Sequence, residues 1–375
     1  MTGYDAIVVG VGGVGSATLA HLAERGWRVL GLDSHTPPHD RGSSHGQTRI
    51  IRQAYFEHPN YVPLLRRAYE LWNELQQRFG QQLFFPVGLV QIGPPEGEVL
   101  SGVRASAREH GLAVDWLTAD QCARRFPMLP ISPEHQAVFE RNAGYLRVED
   151  CVTAHLQWAL ASGAEFRQQP VRSWRAIGET LEVVTDTDTY QCANLVVTGG
   201  PWAAQLLHSW QLPLTVCEKH LHWFPIRDQR LESSQGCPCY LYELPHGCFY
   251  GFPAVDAAGV KMAEHSGGTT IDSPDVSLRQ RDEDDLRRVT EFAASFPDVI
   301  PTPSDHAVCF YTLTPDRHFI VDRHPQVPQI VAAAGLSGHG FKFASALGEI
   351  LADWVTAGVS PLPIDFLRAR PERFA

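Results

Sequence analysis

Tyr4-Asp-Ala-Ile-Val-Val-Gly10-Val-Gly12-Gly13-Val-Gly15 opens the chain, and Trp27-Arg-Val-Leu-Gly-Leu-Asp33 follows one helix-length later. The first run reads as a short buried strand, the glycines as a tight turn, Val14 to Arg25 as a helix, and Trp27 to Leu32 as a second strand ending on Asp33. Gly10 permits the turn, Gly12 lets backbone approach a pyrophosphate, and Gly15 allows close packing of helix on strand. With Gly13 in the same turn, phosphates would sit on the helix N-terminus, where free N–H groups and the dipole favour negative charge. Asp33, about 20 residues after the glycines, is placed to accept hydrogen bonds from a ribose hydroxyl. The pattern predicts a bound dinucleotide. It does not separate FAD from NAD, and a purely structural glycine turn is the competing reading.

Composition bounds the rest. At 375 residues, two domains are expected. Lys+Arg of 31 against Asp+Glu of 42 gives a formal charge of −11, and no basic run appears, which argues against a nucleic-acid partner. The chain enters its first strand within a few residues and carries no apolar run of membrane-spanning length, so a soluble, cytoplasmic protein is expected. The eight cysteines show no framework spacing and are read as reduced. Cys237-Pro-Cys239 downstream of His220 and His222 invites a metal, but C-x-C is the wrong spacing for a zinc knuckle, and none is expected.

The long polar loop Ser34 to Gly46, with Ser43 and His45, leads into Gln47-Thr-Arg49-Ile-Ile-Arg52-Gln-Ala-Tyr55. A loop of that length in a compact domain is usually functional. Taken alone, the two arginines read more simply as a solvated surface pair than as ligands for phosphate, flavin or carboxylate. Leu64, Ala68, Leu71, Trp72, Leu75 and Phe79 repeat at helical spacing up to Gly80, and Phe84 to Ile92 reads as one strand. Thr118-Ala-Asp-Gln121 is a capping box. A helix over Cys151–Ser162, strands near Val171, over 181–185 and over 190–198, and a second glycine turn, Thr198-Gly199-Gly200, follow. Residues 213–310 are mostly of strand period, except 272–296, which reads as a charged, solvated helix. The end returns to strand, glycine loop and helix.

Three late motifs bear on the cofactor. In Val308-Cys309-Phe310-Tyr311, Cys309 and Tyr311 share a strand face, as do Lys261, Ala263 and His265 in Val260-Lys-Met-Ala-Glu-His265. A lysine on an inner strand face needs a polar purpose, because an unpaired buried charge is expensive. Gly335-Leu-Ser-Gly338-His-Gly340-Phe-Lys342-Phe is a glycine loop opening a helix whose N-terminus could stabilise negative charge on a reduced flavin. It is also a near miss for the hydrolase motif G-x-S-x-G, with His339 where the last glycine is required.

These stretches, with Ser43-Ser-His-Gly-Gln-Thr-Arg-Ile-Ile-Arg-Gln-Ala-Tyr55 and Tyr250-Gly-Phe-Pro253, resemble the monomeric sarcosine oxidase and N-methyltryptophan oxidase family of amine-oxidising flavoproteins over essentially the whole chain. The resemblance implies an α/β (α+β) fold: a discontinuous FAD-binding domain (1–83, 147–213 and 317–375) and a β-rich substrate domain (84–146 and 214–316). It implies FAD joined through a thioether from Cys309 to the flavin 8α carbon, with Gly10, Gly12, Gly13, Gly15, Asp33, Ser43, His45, Val171, Gly199, Gly338 and Gly340 around the cofactor. Arg52 and Lys342, with Tyr55, match the positions that hold a substrate carboxylate. Tyr250 and His265 match positions that contact or orient the substrate, Arg49 the flavin-side cation, and Lys261 the residue that activates dioxygen. A structural ion pair of Lys261 with Glu264 is the competing reading, disfavoured because adjacent strand residues face opposite ways.

The implied reaction removes the methyl group of an N-methyl amino acid, with N-methyl-L-tryptophan the leading candidate. It yields the amino acid, formaldehyde and hydrogen peroxide, and the family implies a monomer. Sarcosine or another secondary amine as substrate, a dehydrogenase that does not use dioxygen, and a flavin-binding module without activity are the alternatives. Ser44, Phe56-Glu57-His58-Pro59 and Glu264 depart from the family pattern and bear on the pocket.

Overall fold

The computed structural model describes residues 3–374. The opening fingerprint folds as strand Tyr4–Val9, helix Gly13–Glu24 and strand Val29–Asp33, with the two strands parallel. Ala6, Ile7, Val8, Leu30 and Leu32 are fully buried, as expected for a central parallel sheet covered on both faces. Eight strands make this sheet. Val171–Ile177, Thr180–Thr185, Thr189–Val197, Tyr4–Val9, Val29–Asp33 and Glu165–Gln168 lie in that order, with Ile330–Ala334 and Ile320–Arg323 joined through Thr189–Val197.

Gly15 shows why the turn demands glycine. A Cβ there would lie 1.9 Å from the Gly10 carbonyl oxygen and 2.6 Å from Thr198 Oγ1, so the helix could not sit on the strand. Gly15→Ala is expected to lower stability by about 3 kcal/mol through overpacking and to abolish flavin retention. Gly12→Ala would place its Cβ 3.5 Å from Ser44 Oγ, an ordinary contact. It should therefore keep the thermal midpoint while releasing flavin. Paired melting curves and flavin-to-protein ratios check both.

A second, nine-stranded sheet is mostly antiparallel. Its path runs Thr269–Ile271, Thr215–Phe224, Val260–Glu264, Gly247–Phe252, Cys239–Leu244, Leu89–Gly93, Gln136–Glu140 and Asp115–Thr118, and Asp305–Leu313 pairs along Thr215–Phe224. A three-stranded sheet joins Thr48–Ile51, Gly144–Arg147 and Phe84–Phe85. We propose the two-domain division stated above for this chain. What supports it is that every strand of the eight-stranded sheet falls in 1–83, 147–213 or 317–375, and every strand of the nine-stranded sheet in 84–146 or 214–316.

Several local expectations hold. Helix Val62–Phe79 buries Leu64, Ala68, Leu71, Trp72 and Leu75 and ends on Gly80 at φ +63°. The box at Thr118 caps helix Ala119–Arg125, with both reciprocal hydrogen bonds formed.

Others are corrected. Residues 84–92 are not one strand: Phe84–Phe85 and Leu89–Gly93 belong to different sheets. Pro86 lacks a donor for a ladder, and Gly88 turns the chain at φ +85°. Residues 272–296 are not one solvated helix. The helix is Glu283–Ala294, started by the Asp282 carboxylate accepting from the Asp284 and Asp285 N–H groups. Its inner face buries Val289, Phe292 and Ala293, and it carries Asp285 inward to His222 Nε2 at 2.9 Å. Helix Glu98–His110 was not legible in the sequence. Its buried positions are only Val99, Leu100, Val103 and Ser106, too sparse an apolar stripe to stand out.

Candidate active site

One cleft runs along the C-terminal edge of the first sheet and under the second. Gly10, Gly12, Gly13, Asp33, Val171 and Gly199 line one end, and Ser43, Gly338 and Gly340 line it farther on. Gly10 has φ +85°, and a Cβ on it would lie 2.6 Å from the Thr198 carbonyl oxygen, so the two glycine turns close on each other. No side chain occupies the N-cap of helix Gly13–Glu24; the Gly13 N–H donates to Ser44 Oγ at 3.1 Å. Asp33 accepts from the Val11 N–H at 2.7 Å and the His35 N–H at 3.0 Å, and a carboxylate keeps further lone pairs for a ribose hydroxyl. The glycine-lined N-terminus of helix Gly13–Glu24 and the Asp33 carboxylate lie on the same cleft, the donors for a phosphate and the acceptor for a ribose. The chain fits a dinucleotide.

At the other end the cleft is cationic and aromatic. Arg49, Arg52, Lys342, Tyr250, His265 and Cys309 all line it. Arg49 Nη2 stands 3.2 Å from Cys309 Sγ and donates to the Ser43 carbonyl at 3.0 Å, while Nη1 donates to the Thr48 carbonyl at 2.9 Å. Arg52 is 3% exposed, which overturns its reading as a solvated surface cation. Its Nη2 binds Glu57 through both carboxylate oxygens, at 2.7 and 2.9 Å, between the rings of Tyr55 and Phe56, each 4.4 Å away. Lys342 Nζ donates to the His339 carbonyl at 2.6 Å, and burial followed by repulsion from Arg52 pushes its pKa down to about 7. Burial holds His265 neutral, at about 3, with Nδ1 3.4 Å from Tyr311 Oη and its ring 6.3 Å from that of Tyr250.

Four residues of the sequence reading stand behind the wall rather than on it. Gly15 packs helix on strand. His45 is buried, its Nε2 without a partner, and burial drives its pKa to about 3. Tyr55 is fully buried beneath Arg52. Lys261, 1% exposed, donates to the Gly46 and Thr48 carbonyls at 2.7 Å each, with Nζ 4.2 Å from the centre of the Phe252 ring. The ion pair with Glu264 does not form; Glu264 binds Arg288 at 2.7 Å instead. His220 faces His306 and His222 faces Asp285, and among the described residues no group of three or more His, Cys, Asp or Glu side chains could hold a metal ion.

The family model for FAD dependent oxidoreductase (DAO) matches residues 5–354. The chain belongs to this family. Monomeric sarcosine oxidase of Streptomyces avermitilis is 38% identical over 373 residues, covering 98% of this chain and 97% of that protein. N-methyl-L-tryptophan oxidase of Yersinia pestis is 36% identical, covering 99% of each. Among solved structures, NikD, an unusual amino acid oxidase essential for nikkomycin biosynthesis, superposes with a TM-score of 0.85 at 25% identity, covering 98% of both chains. Glycine oxidase from Geobacillus kaustophilus, at a TM-score of 0.82, 20% identity and 99% coverage of both, shares the fold. The protein is therefore an FAD-dependent oxidoreductase of the sarcosine oxidase and N-methyltryptophan oxidase type.

For a member of this family, sequence reasoning missed three residues at the site. Tyr311 meets His265, and its place two positions after Cys309 on one strand was the available signal. Glu57 accepts from Arg52 Nη2 through both carboxylate oxygens, and only its proximity in sequence hinted at this. His339 was read solely as the reason a hydrolase motif fails. Among the described residues no helix is long and apolar enough to cross a membrane.

Proposed function

We propose that this flavoprotein oxidises the N-methyl group of an N-methyl amino acid, N-methyl-L-tryptophan before others, to give the amino acid, formaldehyde and hydrogen peroxide. The observation that carries the reading is Arg52. Its guanidinium is buried at the cleft, and its Nη2 donates to both oxygens of a carboxylate, so this cation is placed to hold a substrate carboxylate. Glu57 holds that place until substrate takes it, and Lys342 adds a second cation from the facing loop. Tyr250, Phe252 and Leu241 give the cleft an aromatic and apolar wall suited to a large side chain. Neutral His265 on that wall orients the substrate, whose amine binds uncharged.

Bound FAD supplies the two-electron acceptor. The covalent link through Cys309 is part of the proposal, supported by its place on the cleft wall beside the Arg49 guanidinium at 3.2 Å. Lys261 is proposed as the fixed charge that favours electron transfer to dioxygen. A cytoplasmic location, supported by eight unpaired cysteines, and a monomeric state complete the proposal.

Sarcosine or another secondary amine is the second reading, favoured by the 38% identity to a sarcosine oxidase. Comparing kcat/KM for N-methyl-L-tryptophan, sarcosine and pipecolate, with peroxide counted per turnover, tests both. A hundredfold preference for sarcosine would replace the first reading, and a missing peroxide yield would make the protein a dehydrogenase. Absence of anaerobic flavin bleaching by any of the amines would sink amine oxidation itself.

Lys342 predicts a pH dependence. Its ammonium is present below about 7 and lost above it, so a carboxylate ligand without an amine should bind progressively more weakly as pH rises through that value. Titrating such a ligand from pH 6 to 9 should show this slope, and Lys342→Met should flatten it.

A further inference from the structure

The geometry points to His339 as the residue that positions both proposed carboxylate-holding cations, through a relay of Tyr55 hydroxyl, His339 imidazole and Arg317 carbonyl. His339 Nε2 lies 3.0 Å from the Arg317 carbonyl oxygen. A carbonyl only accepts, so Nε2 carries the hydrogen and Nδ1 carries the lone pair. Among the described residues the one hydrogen-bond partner of Nδ1 is the Tyr55 hydroxyl, which must therefore donate. Tyr55 is fully buried and its ring forms one face of the sandwich around Arg52. Lys342 closes the figure: its Nζ stands 5.3 Å from the Tyr55 ring centre and donates to the backbone carbonyl of His339 itself. One residue thus sets the ring under Arg52 by its side chain and the ammonium of Lys342 by its backbone.

The acceptor at the far end is held in place. Arg317 adopts φ +62°, a left-handed conformation that non-glycine residues keep only where their surroundings over-determine it. The turn around it is pinned from the C-terminal end of the chain. Arg373 Nε donates to Asp316 at 2.6 Å, and its Nη2 donates to the His318 carbonyl at 2.8 Å. Protonating Nδ1 would turn the Tyr55 hydroxyl from donor into acceptor and reverse the polarity of the relay. Burial and the neighbouring Lys342 ammonium hold the imidazole pKa well below its ordinary value, so the relay keeps its polarity.

The proposal rests on Arg52 and Lys342 as the carboxylate holders, and His339 acts through them as a positioning residue. The test uses the flavin-loaded enzyme and follows flavin absorbance on titration with two halves of the proposed substrate: indole-3-propionate, which keeps the carboxylate, and N-methyltryptamine, which keeps the amine. Tyr55→Phe and His339→Leu should each raise the Kd for indole-3-propionate about tenfold. The Kd for N-methyltryptamine should stay within twofold, the double variant should be no weaker than the weaker single, and His339→Gln should restore part of the loss. Equal weakening of both ligands, or additive losses in the double variant, would overturn the relay and leave the carboxylate site standing. A wild-type enzyme that binds N-methyltryptamine but not indole-3-propionate would overturn both. Should His339→Leu fail to fold, Tyr55→Phe, which removes one oxygen atom, decides alone.

Discussion

Acid precipitation of the wild-type protein is expected to leave its yellow colour in the pellet, and Cys309→Ala is expected to move all of it to the supernatant. The physical case begins with position. Cys309 sits mid-strand in Asp305–Leu313, opposite Lys219 in the neighbouring strand, and its side chain reaches the cleft wall between Ser43 and Arg49. The Arg49 guanidinium lies 3.2 Å from its sulfur, so the one cysteine on the cleft wall is also the one met there by a fixed cation. Most buried cysteines are packing residues, and Cys151 and Cys237 here are of that kind, their thiols held up by burial. Cys309 is set apart by the Arg49 guanidinium beside it and by its place on the cofactor cleft. Colour in the supernatant from wild type would sink the thioether while keeping FAD. Colour retained in the variant pellet would require a different attachment residue.

Lys261→Met is expected to slow the reaction of reduced enzyme with dioxygen by a factor of about 10²–10³, equivalent to about 3–4 kcal/mol of lost electrostatic stabilisation, while anaerobic reduction by substrate changes less than tenfold. Stopped-flow measurement of the two half-reactions separates them. The ammonium is preorganised: two of its donors are held by the Gly46 and Thr48 carbonyls, and among the described residues no carboxylate bonds to it. Burial, followed by the charge of Arg49, presses its pKa well below the ordinary lysine value. The charge is present below that depressed pKa and lost above it, so the oxygen reaction should slow as pH rises, and the methionine variant should lose this dependence. Folding should survive the change. The Gly46 carbonyl keeps the Thr48 N–H and the Thr48 carbonyl keeps Arg49, so neither acceptor is left bare, and an unbalanced buried charge disappears. Equal slowing of both half-reactions would assign Lys261 to structure.

The glycine fingerprint could be read from the sequence because its constraints are local. Gly10 at φ +85° and Gly15 beneath the Gly10 carbonyl exclude a side chain whatever the rest of the molecule does, and Asp33 ends the next strand. The amphipathic helix Val62–Phe79 and the Thr118 cap are legible for the same reason. Where burial came from distant partners, the reading failed. Residues 283–294 carry enough charge to suggest a solvated face, yet Asp285 is buried because His222, 63 positions earlier, meets it. Phe84 to Ile92 has strand composition throughout, and only the assignment of its halves to separate sheets reveals the break.

The sequence by itself determined the dinucleotide-binding unit, since its turn geometry and spacing are properties of adjacent residues, and the resemblance carried that unit on to an amine-oxidising flavoprotein. Tertiary structure alone decided what the charged groups do. Arg49 meets Cys309 across 260 positions, Lys261 meets Thr48 across 213, and Tyr55 meets His339 across 284. Such contacts depend on strand register and on how two sheets close over one cleft. A buried cation takes whichever acceptor that closure brings to it, and residue type does not say which one that will be.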